Sequence, residues 1–281
     1  MTDDEPVRVL AGFDGSPAAG AAIDAAARLF PRARAWILHL WTAPFASAGL
    51  RQRLWTASGD VKDFMAAVER EGAREAERTA ATGVTLAQAA GWRAEPVVAR
   101  SYGGDGLRVS ELAEELDADV VLLGSRGLGG TKAVLGSVSD MVVHYTPRPA
   151  LVVPHPLLSA EEDALDAGPV VVGWDGSDGA RGAMAAAARL FPGRRLLAAG
   201  VGDQETTADV TVTHLLAGRR LGAPGRSVAD ALATYARQEA AAVIVVGSRG
   251  RSAMREILLG STAMAVLHHA HRPVLVVPTP R

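Results

Sequence analysis

The sequence predicts an α/β fold in which one open-sheet unit occurs twice. Short apolar runs alternate with helical patterns, sequence blocks recur in the same order in both halves, and glycines follow the apolar runs. Runs such as Val120–Leu123 are continuous in apolar character, which is typical of parallel strands buried on both faces. Strands that alternate with helices predict a mostly parallel sheet with helices on both sides.

The repeat consists of matched blocks in a fixed order. The block Val9–Ser16 recurs as Val170–Ser177, and Val120–Gly127 recurs as Val243–Gly250. The other pairs are the Ala-Arg-Leu-Phe-Pro segments ending at Pro31 and Pro192, Gly136-Ser137 with Gly260-Ser261, and Arg148–Pro154 with Arg272–Pro278. Such order indicates duplication. We therefore predict tandem domains at 1–155 and 169–281, joined by an acidic linker at 156–168.

Each domain is expected to hold a mostly parallel five-stranded sheet with flanking helices. In the first copy, strands are predicted near 7–13, 35–41, 95–99, 119–124 and 149–153, and helices near 16–30, 61–89, 107–116 and 137–145. Ser16 and Pro17 support the first helix, because serine caps helix N-termini and proline is favoured in the first turn.

The second copy is predicted to lack one helix. The span from Asp14 to Gly124 covers 110 positions, whereas the matching span from Asp175 to Gly247 covers 72. The missing residues fall between the second and third strands, where the first copy has its helix at 61–89.

The short connection in the second copy predicts a change of strand direction. Only about 202–208 remains between its second and third strands, and a parallel crossover usually needs a dozen residues or more. We therefore predict that 209–217 runs antiparallel to 195–201 as a hairpin. Loss of the helix is also expected to uncover one sheet face, which a partner or the other domain would cover.

Composition and charge exclude several functional classes. The net charge of −2 gives no electrostatic argument for binding nucleic acid or an anionic membrane. The absence of cysteine excludes disulfides, thiol catalysis and thiolate metal sites. The acidic N-terminus lacks a signal-peptide core, and no apolar run approaches the roughly 18 residues of a membrane helix. A cytoplasmic location is therefore expected.

Glycines and polar residues follow the predicted strands, at the edge where open parallel sheets bind ligands. The first-copy candidates are Gly12, Asp14, Gly124, Arg126, Gly127, Gly136, Ser137 and Val138. The second-copy candidates are Gly173, Asp175, Gly247, Arg249, Gly250, Gly260, Ser261 and Thr262. Glycine lets a ligand approach backbone, a helix N-terminus attracts phosphate, and arginine pairs with phosphate oxygens. The pattern predicts a nucleotide site in each copy, with aspartate accepting hydrogen bonds from ribose or adenine.

These motifs resemble the ATP-binding branch of the universal stress protein family, in its tandem two-domain form. The shared features are Gly-x-x-Gly followed after nine residues by Gly-Ser or Gly-Thr, an aspartate that ends the first strand, and the closing Arg-Pro-x-Leu-Val-Val-Pro strand. The spacing holds from Gly250 to Gly260, whereas Gly127 to Gly136 encloses only eight residues. The phosphate loop of the first copy is therefore expected to be displaced from the family's position.

The resemblance implies a fold similar to that of the adenine nucleotide alpha-hydrolases and a stress-response module that binds an adenine nucleotide. ATP, ADP or AMP, with Mg²⁺ as a companion of the phosphates, would lie between Asp14 and the glycine loop. Adenine would contact the backbone after His39, at Leu40, and near Val201 in the second copy. The family also implies pairing of the two domains through their last strands, and a homodimer.

Structural roles remain open as alternatives for the same residues. Asp14 and Asp175 suit turns, the Gly-Ser-Arg-Gly segments suit ordinary strand-to-helix connections, and Ser137 and Ser261 suit plain N-caps. Arg126 and Arg249 are also typical of solvated positions. The histidines at 268, 269 and 271 complement a helix C-terminus, and without a carboxylate at ligand spacing they do not predict a metal site.

Three functional hypotheses follow. The first is a nucleotide-responsive binding module. The second is a slow ATP-hydrolysing enzyme, against which the sequence shows neither a Gly-x-x-x-x-Gly-Lys-Ser/Thr loop nor a catalytic base beyond Asp14 and Asp175. The third is a structural interaction protein with degenerate sites.

Overall fold

The computed structural model describes residues 5–42, 52, 55–56, 60–125, 135–202, 210–216, 225–250 and 259–279. The first copy contains strands β1 (Arg8–Gly12), β2 (Arg34–Trp41), β3 (Arg93–Arg100), β4 (Val120–Gly124) and β5 (Ala150–Val153). Its helices are α1 (Pro17–Leu29), α2 (Val61–Ala89), α3 (Asp105–Glu115) and α4 (Ser137–Tyr145). These bounds confirm the predicted elements of this copy to within about two residues.

The second half continues with helix α5 (Ser159–Ala167), strand β6 (Val170–Gly173), helix α6 (Asp178–Leu190), and strands β7 (Leu196–Val201) and β8 (Val212–Leu215). It ends with helix α7 (Arg226–Gln238), strand β9 (Val243–Gly247), helix α8 (Ser261–His269) and strand β10 (Val274–Val277). Helix α5 lies within the segment that the sequence assigned to a linker. The domain limits themselves remain a prediction. Within the described residues, no helix combines the length and apolar character needed to cross a bilayer.

Helix starts in the two copies follow from the same local chemistry. Ser16 Oγ accepts a hydrogen bond from the Ala19 amide at 3.2 Å, and Ser177 Oγ accepts one from the Ala180 amide at the same distance. Serine at this position satisfies an amide that the helix itself leaves unpaired. The repeated Asp-Gly-Ser sequence therefore starts α1 and α6 in equivalent ways.

The ten strands form one sheet in the order β3-β2-β1-β4-β5-β10-β9-β6-β7-β8. All neighbouring strands are parallel except β5 and β10, which are antiparallel with Leu151 opposite Leu275. These leucines are equivalent in the repeat, so the join has approximate twofold symmetry. The pairing of the two halves through their last strands is confirmed. Because the central pair is antiparallel, the carboxyl ends of β1 and β6 lie at opposite edges of the sheet.

The predicted hairpin in the second copy is wrong. β8 runs parallel to β7, with Ala198 opposite Val212 and Val201 opposite Leu215. The paired stretch has only four residues, so the chain returns about 10 Å along the sheet. The connection at 202–211 can span this distance, because extended chain reaches about 3.3–3.6 Å per residue. A crossover of a dozen residues or more is usual where the paired strands are longer than these four residues.

The space above the sheet is filled differently in the two copies. In the first, α2 approaches so closely that a Cβ on Gly83 would lie 2.6 Å from Ile37 Cγ2 and 2.8 Å from Phe13 Cδ1. The connection at 202–211 is too short for a counterpart of this helix. The larger Trp174 replaces Phe13 in the repeat and packs with Ala198.

The expectation of an uncovered sheet face fails at the residues nearest the lost helix. Ala198 is 3% exposed and Val212 is 6% exposed, and both belong to the apolar cluster around Trp174. The substitution of tryptophan for phenylalanine therefore covers part of the surface that the missing helix would bury.

Helix α5 contacts both copies. The Arg28 guanidinium of α1 pairs with Asp166 at 2.6 Å, and Arg194 donates to the carbonyl oxygens of Leu165 and Gly168 at 2.6 and 2.9 Å. The rings of Phe30 and Phe191 stack at 5.2 Å between centroids and join the copies on the same sheet face.

Asp119 connects the copies electrostatically. Its carboxylate accepts hydrogen bonds from the backbone amide and guanidinium of Arg8 and from Arg189 of the second copy at 3.1 Å. Only 7% of its side chain is exposed. Burial alone raises the pKa of Asp119, but the hydrogen bonds from Arg8 outweigh it and hold the pKa below its ordinary value.

We predict that Asp119→Asn lowers the free energy of unfolding at pH 7 by about 1–3 kcal/mol, because two arginines lose their charged acceptor. The lowered pKa means that the stabilisation is present above the unfolded value near 4 and disappears as the pH falls further. The difference in the free energy of unfolding between wild type and Asp119→Asn should therefore narrow below about pH 4. Urea unfolding at several pH values measures it. Asp117→Asn, at an exposed partner of Arg8, should cost less, and an equal cost would contradict the role given to Asp119.

Candidate functional site

A cavity of about 280 Å³ opens at the carboxyl ends of β1, β2 and β4. Seven of the predicted first-copy residues line it: Gly12, Asp14, Leu40, Gly124, Gly136, Ser137 and Val138. The other two, Arg126 and Gly127, lie outside the described residues. The structure therefore brings together predicted positions that are up to 126 residues apart in the chain.

The cavity also contains residues that sequence reasoning missed. They are Phe13, Ser16, Ala18, Ala19, Leu38, His39, Asp105, Val109, Leu123 and Ser139. Four of them, Phe13, His39, Leu123 and Ser139, adjoin a predicted residue in sequence. The pairing of β1 with β2 explains Leu38, which lies opposite Gly12. Asp105 and Val109 come from α3, which follows the third strand and begins at the same sheet edge. The sequence already shows an acidic residue, Asp105, in the first turn of this helix, and this was the signal that could have located it.

Helix α4 presents an uncapped N-terminus to the cavity. Gly136 is its N-cap residue and Ser137 its first residue, and the N-cap residue, a glycine, provides no side-chain cap. The interpretation of Ser137 as a plain N-cap is therefore wrong, and the same holds for Ser261, which follows the N-cap Gly260 in α8. The first-turn amides and the positive end of the helix dipole favour an anion at this position.

Asp14 has a local structural role as well as a place in the cavity. Its Oδ1 accepts a hydrogen bond from the Ser16 amide at 2.9 Å, and Asp175 Oδ1 accepts one from Ser177 at 3.0 Å. These contacts confirm the turn interpretation of both aspartates. Asp14 also lines the cavity.

The glycines that end β4 and β9 serve helix packing. A Cβ on Gly124 would lie 2.7 Å from the Ala18 carbonyl oxygen of α1, and a Cβ on Gly247 would lie 2.6 Å from the Gly179 carbonyl oxygen of α6. Backbone contact between helix and strand therefore requires glycine at both positions. Gly124 therefore has a role in seating α1, and it also lines the cavity, so its role in ligand approach stays a prediction.

The walls of the cavity differ in character. Leu38, Leu40, Val109, Leu123 and Val138 form an apolar side. This surface suits a flat, weakly polar group, because apolar walls with few polar contacts are typical of small-molecule sites.

The polar wall carries two carboxylates. Asp105 accepts a hydrogen bond from the buried Ser101 hydroxyl, and His39 Nδ1 contacts the Phe13 carbonyl oxygen at 2.8 Å. Among the described lining residues, Asp14, His39 and Asp105 are the ionisable ones, and neither arginine nor lysine occurs. Within this part of the chain, attraction for an anion therefore comes from the α4 amides.

The second-copy candidate residues also lie close to one another. A Cβ built on Gly250 would lie 2.6 Å from Asp175 Oδ2, and the Gly260 amide donates to the Ser248 carbonyl oxygen at 2.7 Å. Gly173 and Gly247 end β6 and β9, and Ser261 and Thr262 begin α8. Arg249 Nε is buried without a hydrogen-bond partner, so the interpretation of a solvated arginine is wrong for that atom.

A sequence model of the Universal stress protein family matches residues 7–154 and 218–278. The chain belongs to the universal stress protein family. A universal stress protein of Synechocystis is 50% identical over 60 residues, which cover 21% of this chain and 52% of that protein. A second, from Mycolicibacterium smegmatis, is 32% identical over 187 residues, which cover 57% of this chain and 62% of that protein. The chain thus spans 52–62% of the length of these relatives.

Solved structures of universal stress proteins share the fold. A universal stress protein from Archaeoglobus fulgidus aligns with a TM-score of 0.69 at 21% identity and covers 97% of this chain and 98% of its own. One from Pseudomonas aeruginosa aligns with a TM-score of 0.58 at 12% identity over 97% and 93% of the two chains. At these identities, the likeness extends to the two-part α/β architecture and no further.

We predict that Gly124→Ala lowers the free energy of unfolding by about 1–3 kcal/mol, because the methyl group forces α1 away from β4. Gly20→Ala is the matched control within α1, since its Cβ would meet only Leu86 Cδ1 at 3.6 Å. That change should leave stability unchanged or raise it by about 0.5–1 kcal/mol. Thermal and urea unfolding measure the stability of both variants. A Gly124→Ala protein as stable as wild type would refute the packing role.

Proposed function

We propose that this universal stress protein binds an adenine nucleotide in the cavity of its first copy and acts as a nucleotide-responsive module of the stress response. The observation that carries the proposal is the meeting of Asp14, an apolar wall and the uncapped start of α4 at one sheet edge. This combination offers separate surfaces for ribose, base and phosphate. The cavity volume is near the lower end of the roughly 300–1,000 Å³ typical of ligand sites.

Each part of the nucleotide has a matching group. Adenine would pack on the leucines and valines of the apolar wall, with the Leu40 backbone as its polar contact. Ribose hydroxyls would donate to Asp14, and phosphate oxygens would accept from amides at Ser137 and Val138. Mg²⁺ would accompany the phosphates of ATP or ADP and offset their charge near the carboxylates.

The proposed output is a change in conformation or contacts rather than rapid chemistry. A nucleotide shifts a conformational equilibrium only if it binds one state better than the other. The α4 N-terminus and the turn around Asp14 connect the cavity to β4 and β1, which lie in the middle of the first copy's strands. Occupancy can therefore bias the elements around the site without breaking a covalent bond.

Nucleotide identity has a direct test. Mass spectrometry of freshly purified, denatured protein should detect co-purified adenine nucleotide, and calorimetric titration should show binding of ATP, ADP or AMP. A Mg²⁺-dependent turnover assay run beside it should show slow hydrolysis at most. Fast turnover would replace the binding module with an enzyme, and absence of binding with all three nucleotides would refute the proposal.

We predict that Ser137→Asp weakens ATP binding at least tenfold, because a carboxylate in the first turn of α4 repels phosphate. The same change should keep or raise helix stability by about 0.3–1 kcal/mol through the helix dipole. Ser137→Asn is the uncharged control and should lose affinity only a few-fold. Adenosine, which lacks phosphate, should bind wild type and both variants alike. Equal ATP affinity in wild type and Ser137→Asp would contradict the phosphate position.

A further inference from the structure

Asp105 is a second carboxylate in the wall of the cavity, and neither the ribose nor the phosphates require it. It is the first residue of α3 and is half-buried. Val109, four residues later in the same helix, belongs to the apolar wall. Because residues four apart lie on one face of a helix, Asp105 and Val109 line the cavity from the same side. The apolar wall therefore has a carboxylate at one end.

Hydrogen bonds tie Asp105 to the end of β2. The Ser101 amide donates to the Trp41 carbonyl oxygen at 2.7 Å, and the Ser101 hydroxyl donates to the Asp105 carboxylate. Ser101 is only 3% exposed, and its Oγ also accepts from the Gly103 amide at 3.2 Å, so the hydroxyl is held from two sides. Since Trp41 directly follows Leu40, these contacts bring the carboxylate to the part of β2 proposed to bind the base.

The backbone of Leu40 lies past the end of β1. The pairing of β1 with β2 ends where Gly12 lies opposite Leu38, and the Phe13 amide then donates to the Leu38 carbonyl oxygen at 2.8 Å. Backbone groups of residues two apart in a strand point to the same side, so those of Leu40 point beyond this last bond. Leu40 also lines the cavity. A ligand at this point therefore meets a backbone edge and a carboxylate.

A backbone edge and a carboxylate together match the 6-amino group of adenine. This group carries two hydrogens, and an ionised carboxylate only accepts hydrogen bonds. Guanine and hypoxanthine have a carbonyl oxygen in the same place, which would face the carboxylate with no hydrogen between the two acceptors. A 6-oxo base therefore loses a hydrogen bond and leaves polar groups unpaired, which a site built for a donor rejects.

We propose that Asp105 determines the base specificity of the cavity by accepting a hydrogen bond from the 6-amino group of adenine, and that Ser101 positions its carboxylate. The proposal rests on the proposed function and adds a residue that reads the base, while Asp14 remains with the ribose. A purely structural role is the alternative, because an acidic residue in the first turn also stabilises a helix. That role changes stability and leaves the choice between bases unaffected.

Calorimetric titrations of the full chain with ATP and with ITP test the proposal. ITP has the same ribose and phosphates but carries hypoxanthine, which has oxygen in place of the amino group. Wild type should bind ATP about twentyfold or more tightly than ITP. Asp105→Asn should reduce this ratio to about threefold or less, because a carboxamide can both accept from an amino group and donate to a carbonyl oxygen.

Removal of the Ser101 hydroxyl has a matched control in the same region. Ser101→Ala should lower the ratio of ITP to ATP dissociation constants in part, because the carboxylate loses the donor that orients it. Ser110→Ala removes another buried hydroxyl, which donates to the Gly106 carbonyl oxygen of α3 at 2.9 Å, and should leave the ratio at the wild-type value. An equal fall in both variants, or none in Ser101→Ala, would contradict the positioning role. Thermal unfolding verifies that each variant is folded.

The outcomes separate the inference from the proposed function. Equal affinity of wild type for ATP and ITP would overturn the inference and leave nucleotide binding intact. The same holds if Asp105→Asn retains the wild-type ratio, or weakens ATP and ITP by the same factor. Absence of binding with both probes would refute the proposed function itself.

Discussion

The rest of the structure depends on the antiparallel pairing of β5 with β10. This pair converts two five-stranded sheets into one, and it places Leu151 beside its own counterpart in the repeat, Leu275. The same symmetry brings Phe30 onto Phe191 and creates an apolar core shared by both copies. Because neither copy has a free fifth strand, each protects the edge that the other would otherwise expose.

Duplication relaxes the constraints on each copy, and the two have diverged by compensating changes. The first copy keeps α2, whose Gly83 allows close contact with Phe13 and Ile37. The second has lost this helix and carries Trp174 in place of the phenylalanine, with Ala198 in place of the isoleucine. One large ring thus covers surface that a helix covers elsewhere, and the shared central strands keep the sheet intact.

The sequence predicted most of the fold because its signals were local or repeated. The apolar run at Val120–Leu123 and the cap at Ser16 specify a strand and a helix start without reference to distant residues. The direction of β8 was mispredicted because it depends on the length over which two strands pair, and no local pattern encodes that length.

The candidate site was predicted where motifs mark it and missed where packing builds it. Asp14 and Ser137 follow from the repeat, whereas Val109 reaches the cavity only because α3 packs beside α4. Gly124 illustrates the remaining difficulty, since a glycine required by helix packing and one required by a ligand are identical in sequence. Only the fold supplies the neighbouring backbone that reveals the packing role.

The antiparallel pairing of β5 with β10 at the centre of the sheet also fixes the direction in which the candidate residues of each copy face. Since β1 and β6 point in opposite directions, the cavity of the first copy and the candidate residues of the second copy lie at opposite edges of the sheet. A macromolecule that contacts a nucleotide bound in the first copy would therefore approach from the edge at which β1 ends. A near-symmetric framework thereby presents its two sets of candidate residues in opposite directions.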